Sequence, residues 1–268
     1  MGYRLTPLAL AADEPAQSYA CRLARRINLP LRFWCTDVGL SRNDVIKGTL
    51  EAVQQIADYG GEDATRLLAA TIRHQEGRNY ELNGQELTRE SLRRTRLRGC
   101  TQCMKEQANG GAVWDVSIQT AWCLASIFTC PFHNTALVQI GVGKNAMFNE
   151  WSLLTDDFLA SPAAEEQPVT RQPGEFELYV SGRAKHDPPE SGGEVNDLPM
   201  HVAMRLVPFI GQTLVRGTKA TEPSSDDEMI NAADVGFRAL RTVGGLEQAL
   251  ADIDAGAGPR KFNQGPQH

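Results

Sequence analysis

Cys100-Thr101-Gln102-Cys103, followed further on by Cys130-Pro131-Phe132-His133, is the stretch on which the reading of this chain turns. Two ligands separated by two residues can share one tight knuckle and reach the same ion. A second such pair alongside completes a tetrahedral, sulfur-rich zinc site. With four protein ligands no position remains for water or substrate, so the pattern predicts a structural Zn2+ rather than a reaction centre. The alternative is a set of free buried cysteines with His133 as an ordinary surface histidine. Cys123 lies in the same region and could replace one of the four.

Working outward, the approach to the first pair is strongly basic. Arg89, Arg93, Arg94, Arg96, Arg98 and Lys105 face only Glu90 between positions 89 and 105. Arg94, Arg96 and Arg98 alternate with Thr95 and Leu97, which predicts a short strand with one cationic side. Arg89, Arg93 and Arg96 also have helical spacing, so the local structure stays open. Either geometry gathers guanidinium groups that suit phosphate oxygens or the acidic surface of a protein partner. Between the pairs, Trp114, Trp122, Leu124, Ile127 and Phe128 supply the apolar material that a small zinc module needs, and both tryptophans read as scaffold.

Upstream, Ala16, Tyr19, Ala20, Leu23, Ala24 and Ile27 share one helical face, with Asp13 as its expected N-cap and Pro30 as its stop. A helix over Thr49–Tyr59, the pair Gly60-Gly61 and a helix from Glu62 to about His74 form a helix-turn-helix-like unit. Its second helix could read a DNA groove through Arg66 and Arg73, or the two helices could simply pack. Glu62 and Asp63 at its start would repel phosphate.

Downstream, residues 161–196 carry prolines, glycines and acidic residues and read as linker and loops. Leu198–Leu214 reads as a helix kinked or divided by Pro208. Met229–Thr242 and Leu246–Ile253 read as helices separated by Gly244-Gly245, with a serine-rich acidic break at 222–228 able to cap the first. The expected organisation is a helical region with the helix-turn-helix-like unit at 1–85, a zinc module at 86–160, linker and loops at 161–196, a helical region at 197–254 and a flexible tail at 255–268. The fold class is mainly α with a small zinc-ribbon-like α+β module.

Composition narrows the function classes. The chain has 268 residues, 41% hydrophobic and 22% charged, with a net charge of -6, which disfavours a general nucleic-acid coat. Of six cysteines, three belong to the zinc pattern and Cys21, Cys35 and Cys123 lie in apolar contexts, which suits a reducing cytoplasmic home. The opening Met1-Gly2-Tyr3-Arg4-Leu5 has no signal-peptide stretch, and no run approaches membrane-spanning length. A zinc hydrolase is disfavoured because neither His-Glu-x-x-His nor a deaminase-like pattern occurs.

A family likeness rests on particular residues. Glu14-Pro15-Ala16-Gln17-Ser18-Tyr19-Ala20-Cys21-Arg22-Leu23-Ala24 resembles the opening of TniQ-family proteins. Arg96-Leu97-Arg98-Gly99-Cys100 with Cys103, Trp122, Cys130-Pro131-Phe132-His133 and Leu137 is similar to that family's zinc segment. Three details depart from the pattern: Thr101 where proline is usual, Asn134 where glycine commonly follows the histidine, and no second zinc pair downstream. The resemblance implies a non-enzymatic target-selection adaptor of a transposon. Such an adaptor binds DNA at a target site or docks on an RNA-guided CRISPR effector complex, and recruits a TnsC-like AAA+ transposition regulator. It carries over Cys100, Cys103, Cys130 and His133 as zinc ligands, and it implies a cytoplasmic protein that joins the nucleoid when on DNA, with a homodimer admissible. The other reading is a zinc-ribbon transcriptional regulator outside transposition.

Overall fold

The computed structural model describes residues 8–109, 115–142, 151–185, 190–217 and 225–255. Trp114, the first seven residues and the expected tail from 256 onward lie outside them. The chain divides into two compact units, Met1–Gln172 and Pro173–His268. It is mainly helical with small sheets, as the periodicity predicts.

In the first unit α1 (Ala16–Arg26) is buried from Ala16 through Ala24. The expected cap at Asp13 is not made. Pro15 stands at the N-cap with no side-chain bond, while Asp13 adopts a left-handed φ of 55° and its carbonyl accepts from Thr120 N at 2.9 Å. The amide of Ala16 is satisfied instead by Thr71 Oγ1 at 3.0 Å. Pro30 does not end α1 but opens α2 (Leu31–Asp37), which leads to α3 (Arg42–Lys47), capped by Ser41. Neither short helix is placed by the sequence reading, because two turns or fewer give periodicity little to register.

The glycine-separated pair is present as α4 (Leu50–Gly60) and α5 (Ala64–Ala70). Thr49 caps the first and Asp63 the second. The two glycines have different reasons. Gly61 closes α4 in a left-handed conformation at φ 72°, whereas a Cβ at Gly60 would overlap the Tyr19 ring and hydroxyl. The second helix stops at Ala70, short of the expected His74. Thr71 turns extended, its hydroxyl donating back to the Leu67 carbonyl, and Arg73–His74 becomes β1. Arg73 therefore sits on a strand and pairs with Glu81, and Arg66 pairs with Glu62 at 3.6 Å, so the two arginines do not share a recognition helix.

β1 continues into β2 (Asn79–Leu82) and β3 (Gln85–Thr88), an antiparallel meander. Its hairpin turns on Asn83-Gly84, both at positive φ, the chemistry a two-residue turn demands. β4 (Arg96–Gly99) then leads into α6 (Thr101–Asn109). β5 (Thr129–Cys130) pairs with β6 (Thr135–Ala136), and β7 (Val138–Val142) returns antiparallel to β4. α7 (Trp151–Leu159) follows.

The expected boundary at 85/86 is not a domain boundary. The 115–125 segment is built into the N-terminal helices: Ile118 N donates to Ser18 Oγ at 3.1 Å and Thr120 Oγ1 donates to the Ala70 carbonyl. Ser18 in turn donates to Glu14 Oε1 at 2.7 Å, and Glu14 holds Arg22 at 2.5 Å, all within the core. The family-like opening is thus a buried polar network that ties α1 to the zinc segment, with each group satisfied.

The second unit contains α8 (Glu175–Ala184), α9 (Met200–Arg216), α10 (Asp226–Leu240) and α11 (Gly245–Asp254). α8 lies inside the stretch expected to be linker and loops. It is held by Phe176 and Tyr179 packing with Phe237, while Glu177 accepts from the N-cap amide of Gly174 and Asp234 of α10 accepts from the Phe176 amide. Pro208 lies within α9 without dividing it. α9 and α10 cross backbone to backbone, since a Cβ at Gly211 would overlap the Ala232 carbonyl and one at Gly236 the Val207 carbonyl. Ser225 caps α10, and Gly244, at φ 70°, turns the chain into α11. Among the described residues no helix is long and apolar enough to cross a membrane.

Candidate metal centre and its cationic strand

The centre is assembled by two different backbone devices. The first pair does not sit on a β-knuckle but straddles a strand-to-helix junction. Cys100 follows Gly99, the last strand residue, its carbonyl accepts from Met104 N at 3.1 Å, and α6 winds Cys103 round to the same side. Thr101 occupies the first helical position, where proline is equally at home, so this departure from the family pattern leaves the geometry unchanged. The second pair is a true tight turn. Asn134 N donates to the Cys130 carbonyl at 2.9 Å, with Asn134 at φ 49°. Asparagine tolerates that left-handed conformation better than other residues with a side chain, which is why it can replace glycine here.

Cys100, Cys103, Cys130 and His133 converge, with one ligand atom from each lying within 4.8 Å of all the others. His133 Nδ1 is 3.2 Å from Cys103 Sγ, 3.5 Å from Cys100 Sγ and 3.8 Å from Cys130 Sγ, and Cys103 Sγ is 3.6 Å from Cys130 Sγ. Bond lengths of about 2.0–2.3 Å to a tetrahedral zinc imply ligand separations of about 3.5–3.8 Å. The donor set and spacing therefore fit that ion.

Electrostatics agrees. The Cys100 thiol is held far below its ordinary range by hydrogen bonds from Cys103 and then Cys130. The Cys103 thiol is pushed far up, first by Cys100 and then by Cys130. Three sulfurs this close cannot all ionise against one another, and a divalent cation among them is what would make three thiolates compatible.

Three supporting residues are not signalled by the ligand spacing. Glu106 Oε1 lies 2.9 Å from His133 Nε2, so the carboxylate orients the ring with Nδ1 facing the sulfurs. Thr135 Oγ1 is 3.5 Å from Cys100 Sγ, and Gln119 Nε2 reaches Cys103 Sγ at 3.9 Å. Glu106 could have been found, because it lies one helical turn after Cys103. Thr135 and Gln119 depend on the tertiary fold. Cys123 does not join the cluster. It is buried, and burial pushes its thiol up, with Arg93 acting in the opposite direction. Trp122 is fully buried and packs its ring edge 3.2 Å from the Cβ position of Gly99, immediately before Cys100.

The basic residues separate into different roles. Arg93 Nη2 donates to the Ala125 and Ile127 carbonyls at 2.8 and 2.6 Å, and its Nε to Leu124 at 3.2 Å, with the guanidinium over Phe128. That side chain holds the segment leading to Cys130 and is not presented to a partner. Arg98 also lies over Phe128, 5.4 Å from the ring centre. Of the strand expected through Arg94, Arg96 and Arg98, only Arg96–Gly99 forms: Arg96 is exposed, Leu97 is buried and Arg98 is half-buried, the register shifts between Leu97 and Arg98, and Arg94 lies before the strand. Arg94 and Lys105 are half-buried and Arg89 is exposed in the turn Arg89–Ser91. Glu90 is engaged by Arg78.

Residues 6–137 match the family model TniQ, a span that holds the buried network of α1 and all four residues of the cluster. No curated protein and no solved structure matches the chain.

Proposed function

Residues 6–137 of the chain belong to the TniQ family, and on that premise we propose a transposition target-selection adaptor built on a structural zinc ion. A TniQ domain marks a transposition-associated target-selection protein, and the family's members are non-catalytic adaptors. In the proposed role, the cationic side of β4 contacts phosphate of target DNA or of a nucleoprotein complex, and another surface recruits an AAA+ regulator.

The observation that carries this reading is the placement of the cluster at the end of β4. Cys100 follows directly on the strand whose exposed Arg96 flanks buried Leu97. Zinc bound there would act as a crosslink with four protein ligands, leaving no position for a substrate. Glu106, the carboxylate bonded to His133, orients that ligand rather than facing an open metal position, which argues against hydrolysis. The chain's own residues do the rest: α6 and the Cys130–His133 turn hold β4, and β4 presents arginine forks suited to phosphate oxygens.

The test is capture of a purified AAA+ transposition regulator, with and without DNA, by the wild type and by Arg96→Glu. Capture lost only when DNA is present assigns the strand to phosphate. Loss without DNA assigns it to protein contact. No capture by the wild type under either condition overturns the adaptor reading. The zinc premise is tested separately by metal analysis, with one zinc per chain expected, and it is overturned if Cys100→Ser with Cys103→Ser leaves melting unchanged.

A further inference from the structure

A slot opens in the second unit where residues 194–198 meet α9, α10 and α11. Val195, Leu198, Leu206, Leu240 and Leu246 supply its apolar lining around a cavity of about 280 Å³, and the charged residues that line it, Glu194 and Asp197, are both carboxylates. The wall is preformed. The Tyr179 hydroxyl donates to the Val195 carbonyl at 3.0 Å, Arg183 Nη1 to the Leu198 carbonyl at 2.8 Å, and Gly244 N to Glu194 Oε1 at 2.8 Å. A ligand that enters here meets ordered backbone, which lowers the cost of binding.

Leu246 also begins an apolar stripe. Leu250 and Ile253 follow it at four and seven residues on one side of α11, and Leu246 and Leu250 are 36% and 51% exposed while Ala249 is buried. Val243, just before the helix, is 96% exposed. Glu247 and Asp254 are both exposed and border the stripe on the side away from Ala249. Carboxylates therefore edge both the slot and the stripe. Of the nearby cations, exposed Arg205 lies about 100° round α9 from Leu206, and Arg241 is paired with Glu175 at 3.1 Å. The acidity extends to the whole region: residues 173–268 hold fourteen Asp and Glu against nine Lys and Arg, which is -5 of the net charge of -6.

We propose that the slot and the α11 stripe dock a basic amphipathic helix of a protein partner. Its apolar side enters against Leu198, Leu206, Leu246 and Leu250, and its flanking Lys or Arg side chains meet Glu194, Asp197, Glu247 and Asp254. The volume lies below the roughly 300–1,000 Å³ of small-molecule sites and suits an anchoring side chain. The walls offer no strand edge to an extended peptide, since residues 194–198 and three helices build them. Phosphate and anionic lipid would be repelled by the carboxylates, and a second copy using the same face would set carboxylate against carboxylate. The slot lies wholly within the second unit, so it holds or fails independently of the zinc premise.

The experiment is fluorescence anisotropy on the full chain with a labelled helical peptide of leucine and lysine, its leucines at i, i+3, i+4 and i+7. Its Kd should be tighter than about 100 µM, and a peptide with glutamate in place of lysine should bind at least about tenfold more weakly. Asp197→Lys and Leu250→Gln, both at exposed positions, should keep the wild-type melting temperature and each weaken binding about tenfold. Glu166→Lys makes the same charge reversal at an exposed position of the first unit and should leave affinity unchanged. Equal loss from Glu166→Lys, unchanged affinity in both slot variants, equal binding of the glutamate peptide, or no binding of the lysine peptide overturns the proposal. So does self-association of the wild type that Leu250→Gln abolishes, which assigns the slot to a second copy. A tenfold gain in affinity on deletion of residues 256–268, which include Arg260-Lys261-Phe262, assigns it to the chain's own tail and overturns the proposal likewise.

Discussion

His133 Nε2 lies 2.9 Å from Glu106 Oε1, on the opposite side of the ring from the three sulfurs. The carboxylate fixes both the orientation of the imidazole and the nitrogen that faces the cluster. Glu106→Ala is expected to weaken zinc retention about 10- to 100-fold in chelator competition, with the ligands themselves intact. Retention equal to that of the wild type would show that the contact does not orient the ring.

The buried pair Glu14–Arg22 should dominate the stability of the first unit. Glu14→Ala leaves a guanidinium without its buried counter-charge and is expected to cost about 3–5 kcal/mol in denaturant unfolding. Arg66→Ala, which removes an ion pair with a 59%-exposed side chain, should change stability by less than about 1 kcal/mol.

Adjacent glycines should respond differently. Gly60→Ala drives a methyl into the Tyr19 ring and should cost more than about 2 kcal/mol, because neither α1 nor α4 can yield. Gly61→Ala meets no atom within 4 Å and carries only the left-handed backbone penalty, about 1 kcal/mol. Comparable losses at the two positions would contradict the packing described.

Tyr19 gives a pH dependence. Burial first, then the charges of Glu62 and Glu14, raise its phenol from 10.0 to about 12. The folded state keeps that proton after the unfolded chain has released it, so this group's stabilisation is complete below pH 10 and is lost as pH rises from 10 to about 12. Tyr19→Phe should abolish that part of the alkaline slope. It should also lose roughly 1 kcal/mol for the hydroxyl's bond to the Leu8 carbonyl.

In the second unit, Gly211→Ala places a methyl on the Ala232 carbonyl and forces α9 away from α10. A loss of about 3 kcal/mol in the unfolding of that unit is expected. Zinc retention should be unchanged, since the four ligands belong to the first unit.

The sequence alone determined the four-residue Cys/His cluster, the long helices and the exposed-buried step at Arg96 and Leu97 on β4. Each is a short-range pattern: cysteine spacing, a repeat of three to four residues, or strict alternation with a period of two. Asn83-Gly84 is an equally local hairpin signal, lying beyond the helix expected over 62–74. What only the tertiary structure decided depends on groups far apart in sequence. Thr71 ends α5 because its hydroxyl serves both the Leu67 carbonyl and the Ala16 amide. The boundary expected at 85/86 disappears because Ser18 accepts from Ile118, a hundred residues away. Arg93 looks from its spacing like any other member of the basic strip, yet three carbonyls from 124 to 127 claim its guanidinium. Spacing records which residues can share a local face. Which donor meets which distant acceptor is settled only when the buried backbone must satisfy its hydrogen bonds.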